Sequence, residues 1–116
     1  MREFSVDLTA RLPAPPGNSR EEAAERASEL LSALEDDARA LGPVTWGHFD
    51  PPILGARFNV EAPDAGVALE RAKDIFTDAL RTIGYQAPPD LIEIQVEVVD
   101  PDGVAASEVW VEPVSV

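Results

Sequence analysis

The sequence predicts an α+β protein of one domain, with the element order β-α-β-β-α-β and one further C-terminal strand. Three observations predict it. Several segments alternate apolar and polar residues, as strands with one buried and one wet face do. Two segments repeat apolar residues at helical spacing behind a capping residue. The 116 residues are enough for one domain with a substantial core.

The first strand and the first helix are marked by pattern and by capping chemistry. Residues 4–11 alternate, with the apolar side chains at even positions. Ser19 then begins a helix as a capping box with Glu22, since each side chain can accept a hydrogen bond from an otherwise unpaired backbone N–H. Apolar residues recur at helical spacing as far as Leu41. Gly42-Pro43 is therefore expected to end the helix.

The segment VTWGHFDPPIL is predicted to be the turn and flanks of a hairpin. The strand that follows buries its even positions, so the residues opposite them must also face inward. A three-residue loop, Asp50–Pro52, meets this condition by placing Trp46 opposite Ala56, where the indole fills the space above a small side chain. Gly47 then lies opposite Gly55 as a shallow dip on the open face.

The second half of the chain repeats the strand and helix signals. Asp64 is the expected N-cap of a second helix, which Gly84 closes. LIEIQVEVV is the fourth strand, and SEVWVEP follows a DPDG turn as a short final strand.

The register of that final strand has two interpretations. A two-residue loop, Pro101-Asp102, leaves Trp110 on the open face. If Gly103 instead adopts a left-handed conformation in a bulged turn, Trp110 faces inward and Glu108 has to point toward the helices. The charge pattern favours the first register, and the turn residues favour the second.

The element order predicts a ferredoxin-like split βαβ sandwich. Two right-handed crossovers with both helices on one face give the sheet order 4-1-3-2, and the extra strand lies beside strand 4. The domain covers residues 1–116, of which 100–116 form a C-terminal hairpin extension.

Composition and charge exclude several classes of function. A net charge of −13 repels nucleic acids and anionic membranes. The apolar runs are too short to span a bilayer and no signal peptide is recognisable, so a cytoplasmic protein is expected. Without cysteine there is no thiol chemistry, and with one histidine there is no helical histidine pair. We therefore expect no cofactor, no metal, no catalytic residues, and a binding protein rather than an enzyme.

The open sheet face carries the functional predictions. Its central strands offer polar side chains instead of the aromatic residues on which RNA bases stack. Glu93 and Glu97 are expected to form a salt-bridged ladder with Arg11 and Arg57. Apolar residues on one flank predict a homodimer, or contact with a partner subunit in a larger assembly. The predicted interface residues are Leu91, Val99, Val109, Trp110, Val111, Phe49 and Ile53.

A second hypothesis is a small-ligand-binding or enzymatic domain, similar in topology to ferredoxin-like domains and dimeric α+β barrels. Its pocket would lie near Trp46, His48 and Phe49. His48 could act as a general acid or base near neutral pH, with Asp50 orienting it.

Overall fold

Seven elements make up the fold in a computed structural model that describes residues 2–12, 19–85, 93–100 and 103–110, apart from the side chain of Trp110. They form an α+β fold in which five antiparallel strands are ordered β2-β3-β1-β4-β5. The predicted element order and the place of the fifth strand beside β4 are confirmed. The elements are β1 (Arg2–Arg11), α1 (Arg20–Glu35), β2 (Leu41–His48), β3 (Ile53–Ala62), α2 (Ala65–Thr82), β4 (Glu93–Asp100) and β5 (Gly103–Trp110).

One hydrophobic core lies between the sheet and the two helices. The apolar residues at the even-numbered positions of β1, β3 and β4 are buried, as the alternation predicts, and they pack against the inner faces of α1 and α2. The odd-numbered residues of these strands form the opposite face, called here the open face. Neither helix in the described ranges is both long and apolar enough to cross a membrane. The largest fully buried side chains include Phe4, Phe58, Phe76, Leu8, Leu30, Leu34 and Ile75.

Helix α1 begins where predicted and ends six residues earlier than the apolar spacing indicates. The Ser19 hydroxyl accepts a hydrogen bond from the Glu22 N–H at 3.2 Å. After Glu35 the chain turns, because the Asp37 carboxylate accepts the Arg39 N–H at 2.9 Å and its guanidinium as well. Such a side chain offers the backbone a partner that competes with the helix. Leu41 consequently belongs to β2, and the prediction that Gly42 closes the helix is wrong.

Helix α2 has both of its predicted ends. The Asp64 carboxylate accepts the Val67 N–H at 2.9 Å at the N-terminus. Gly84 follows the last turn with φ +103°, a left-handed conformation that suits glycine. The Tyr85 N–H donates to the Leu80 carbonyl at 2.9 Å, which completes the cap.

The β2–β3 hairpin differs from the predicted register by one residue. His48 pairs with Ile53, so the loop is Phe49–Pro52, of four residues, and Trp46 pairs with Gly55. Since side chains alternate between faces, a shift of one residue moves the side chains of residues 44–48 to the opposite face, and the register irregularity between Leu41 and Val44 limits the shift to this part of β2. Trp46 therefore lies on the open face.

Close packing of α1 against β2 accounts for this register. The Thr45 hydroxyl donates to the Ala27 carbonyl of α1 at 2.7 Å. A Cβ atom added to Gly47 would lie 2.6 Å from the Ala23 carbonyl oxygen, which is closer than any such contact allows. Only small residues fit between this helix and strand, so an indole cannot occupy the inner face of β2.

The predicted packing of Trp46 over Ala56 and the predicted glycine dip are both wrong. Trp46 lies over Gly55, where an added Cβ would meet indole atoms at 2.1–2.4 Å. Gly47 faces α1, and Gly55 is covered by the indole. The two glycines lie on opposite faces of the sheet.

Candidate functional site

The most exposed large apolar side chains of the described residues lie on the two edge strands. Val104 is 61% exposed and Val109 is 59% exposed, both on β5, and Val44 is 53% exposed on β2. Val99 pairs with Val104, and it is partly buried. We call Val99, Val104 and Val109 the β5 flank. The polar pair Glu97 and Ser107 lies between Val104 and Val109, so this apolar surface is interrupted. Contact with another chain would remove the exposed apolar area of its valines from water.

The structure separates the predicted interface residues into two groups. Val99 and Val109 belong to the β5 flank, whereas Phe49 and Ile53 lie at the β2–β3 turn. Ile53 is on β3, which is three strand spacings from β5, or about 14 Å. Val104 also belongs to the β5 flank, although no sequence pattern predicted it. The remaining predicted residues, Leu91 and Val111, lie outside the described residues, as does the side chain of Trp110, although its backbone pairs with Ile94.

The register of β5 combines features of both predicted alternatives. Asp100 pairs with Gly103, which gives the two-residue loop of the first alternative. The register then shifts by one residue at Ala105, so Glu108 pairs with Val96 and Val109 with Gln95, as in the second alternative. The bulge that the second alternative placed at Gly103 thus occurs two residues later, inside the strand.

Glu108 faces the helices because α2 provides a cation for it. The Lys73 ammonium donates to the Glu108 carboxylate at 2.7 Å, and the Lys73 side chain is only 17% exposed. This ion pair joins the edge strand to α2. The sequence offered one signal for it, since Lys73 is the only lysine of the chain and Glu108 the only charged residue of β5.

The ion pair makes the free energy of unfolding depend on pH in the alkaline range. The hydrogen bond with Glu108 raises the pKa of Lys73 above its ordinary value of 10.5. A raised pKa in the folded state means that the stabilisation is fully present below pH 10.5 and is lost as the pH rises through the folded-state value.

We expect Lys73→Met to lower the free energy of unfolding by about 0.5–1 kcal/mol at pH 7, a small effect because water screens the partly exposed carboxylate. Urea unfolding of both proteins between pH 7 and 12 measures it. The difference between them should shrink above about pH 10.5. A difference that stays constant to pH 12 would show that the ion pair does not stabilise the fold.

The open face is polar and acidic across its central strands. Arg57 lies opposite Asp7 and forms an ion pair with its carboxylate. The Asn59 amide donates to the Glu3 carboxylate at 3.1 Å. Among the described residues, β1, β3 and β4 place more carboxylates than guanidinium groups on this face: Glu3, Asp7, Glu61, Glu93 and Glu97 against Arg11 and Arg57.

The predicted ladder of Glu93 and Glu97 with Arg11 and Arg57 agrees with the register only in part: Arg11 lies directly opposite Glu93, but Arg57 does not lie opposite Glu97. Arg57 pairs with Asp7 instead, because these two residues are directly opposite in the register. Glu97 also lies opposite Asp7, which places two carboxylates side by side. The part of the chain that the structure describes contains no cluster of three or more acidic, histidine or cysteine side chains suited to holding a metal ion.

A depression of about 510 Å³ lies on the open face between β1, β4 and β5. Thr9, Gln95 and Ser107 line it with polar groups, and Val109 borders it with an apolar one. The β5 flank therefore adjoins a polar hollow.

The pocket predicted near Trp46, His48 and Phe49 is only partly assembled. His48, Phe49 and Asp50 line a depression of about 660 Å³ together with Ser19 and Arg20. Trp46 does not belong to it, because its indole covers Gly55 on the open face.

Comparison of the chain with protein-family models, curated proteins and solved structures finds no match.

Proposed function

We propose that this chain is a small, acidic, cytoplasmic protein-interaction module that self-associates, or joins a larger assembly, through its open sheet face and C-terminal strand. The observation that carries this proposal is the edge strand β5. This strand exposes Val104 and Val109, and among the described residues it pairs with only one other strand, β4. Exposed apolar side chains and unpaired strand groups both favour association.

We infer further that the scaffold is a ferredoxin-like split βαβ domain with one added edge strand. Strands β1 and β2 are each antiparallel to β3, so they are parallel to each other and α1 connects them. Strands β3 and β4 are each antiparallel to β1, and α2 connects them. Each helix thus joins parallel strands that another strand separates, which supports the assignment.

The geometry favours this function over the small-ligand alternative. A ligand pocket needs an apolar lining with a few convergent polar groups. Trp46, the aromatic platform on which that hypothesis depended, does not line the depression beside His48.

Sedimentation velocity across micromolar concentrations tests the proposal. We expect the unmodified chain to sediment as a dimer or larger species that dissociates on dilution. Val104→Thr with Val109→Thr should weaken association about tenfold, because these substitutions keep side-chain shape and remove apolar surface. Val44→Thr on the opposite edge is the matched control and should leave the mass unchanged. A strictly monomeric chain at every concentration would refute self-association.

A further inference from the structure

We infer that two copies of the chain join edge to edge through β5, in antiparallel pairing, so that two five-stranded sheets become one continuous sheet. This inference rests on the proposed self-association and specifies which surface forms it. Three features support it. The two edges of the sheet differ in their protection against pairing, β5 carries little charge, and the open face carries too much negative charge for two copies to stack.

The two edges of the sheet differ in how they are protected. Strand β2 carries Pro43, which has no N–H to donate, and its register shifts between Leu41 and Val44. Proline and bulges are the devices by which edge strands avoid pairing with other chains. Strand β5 has no proline, and after the bulge at Ala105 it is regular from Ala106 to Trp110.

The charge of β5 also leaves its outer edge open to pairing. Its only charged residue is Glu108, whose carboxylate points to the helix layer and pairs with Lys73. Edge strands that resist pairing usually carry lysine or other charged side chains. In the part of the chain that the structure describes, no strand pairs with the outer edge of β5, so its outward backbone groups are unpaired. The middle of the strand consists of the small residues Ala106 and Ser107.

Edge pairing avoids the electrostatic cost that stacking of two open faces would bring. The open face carries five carboxylates against two guanidinium groups on β1, β3 and β4. Two such faces in contact would desolvate like charges. In an edge-to-edge dimer these groups stay in water, and the chain keeps its net charge of −13 exposed.

A second copy suits this edge because antiparallel pairing of a strand with itself is self-complementary. A two-fold axis between the two β5 strands, perpendicular to the sheet, lets each copy donate and accept the same set of backbone hydrogen bonds. The two helix layers then lie on the same side of the joined sheet.

Hydrogen exchange at several protein concentrations tests the pairing directly. Raising the concentration of the unmodified chain from 1 to 200 micromolar should slow exchange at least about tenfold in a peptide covering residues 103–110. The peptide covering residues 41–48 should not change, since the other edge stays free. Stacking of open faces would leave both peptides unchanged, because it forms no new backbone hydrogen bonds.

Substitutions that add positive charge to β5 provide a second test of the pairing. Ser107 and Val109 lie on the same face of β5. Ser107→Lys with Val109→Lys therefore places lysines of the two copies close together when the two-fold axis lies between the two β5 strands near these residues. We expect the dimer dissociation constant to rise at least about tenfold. The matched control, Val44→Lys with His48→Lys, adds two lysines to the open face of β2 and should remain dimeric.

Thr9→Glu, which adds one more carboxylate to the acidic open face, separates edge pairing from face stacking. Thr9 lies in the middle of the open face, opposite both Gly55 and Gln95. An edge-to-edge dimer tolerates the substitution, and a stacked dimer does not. Urea unfolding of each variant confirms that it is folded.

The outcomes separate this inference from the proposal beneath it. A dimer with unchanged exchange in residues 103–110, or one that only Thr9→Glu dissociates, overturns edge pairing and leaves self-association intact. A chain that is monomeric at 200 micromolar overturns both.

Discussion

Truncating Phe58 to alanine is expected to lower the free energy of unfolding by about 3–5 kcal/mol. Phe58 is 1% exposed, at the centre of β3, where it pairs with Val6 of β1 and packs in the single core of the domain. Removing the ring forfeits its burial and leaves a cavity that the rigid central strands cannot close.

Urea unfolding followed by far-UV circular dichroism measures this loss. Val44→Ala is the control, since it also removes apolar atoms, but from a side chain that is 53% exposed. Its effect should stay within about 0.5 kcal/mol. A loss below about 1 kcal/mol for Phe58→Ala would contradict the central place of this residue in the core.

The second large effect is expected from Gly47→Ala. A methyl group at this position would lie 2.6 Å from the Ala23 carbonyl oxygen, and that oxygen belongs to the backbone of α1. The helix and β2 must move apart to admit it, which also strains the Thr45 hydrogen bond to α1. Overpacking of this kind lowers the free energy of unfolding by about 1–3 kcal/mol.

Gly66→Ala is the matched control for this substitution. Gly66 lies in the first turn of α2, and the nearest atom to its added Cβ is 3.4 Å away. Alanine favours helix over glycine, so the control should be neutral or stabilising by up to about 1 kcal/mol. If Gly47→Ala is equally harmless, Gly47 faces the open side of the sheet and the register of β2 described above is wrong.

Local patterns were sufficient for most of the scaffold. The alternation in β1, β3 and β4 predicted their buried faces, and Ser19, Asp64 and Gly84 predicted three helix ends. These features depend on contacts between residues a few positions apart, or on the alternation of a single strand. Such information is present in any short window of the chain.

The failures involve elements whose position depends on distant residues. Apolar spacing continued past Glu35, yet the Asp37 carboxylate and the sheet edge redirected the chain into β2. The register of β2 depends on how near α1 approaches at Gly47. No pattern within the hairpin itself reports that distance.

The candidate site was predicted in part for the same reason. Val99 and Val109 lie on one flank of the open face, as predicted, but Phe49 and Ile53, predicted to belong to the same interface, lie across the width of the sheet. The neutralisation of Glu108 depends on Lys73, which lies 35 positions earlier in the chain.

The sequence by itself determined the α+β class, the order of the elements and the buried face of each central strand, because periodicity and capping are local. Only the tertiary structure decided the faces of β2, the bulge at Ala105 and the inward place of Glu108. Each of these depends on a helix packing against an edge strand, where a single-residue shift exchanges the two faces and a contact from a distant element selects between them.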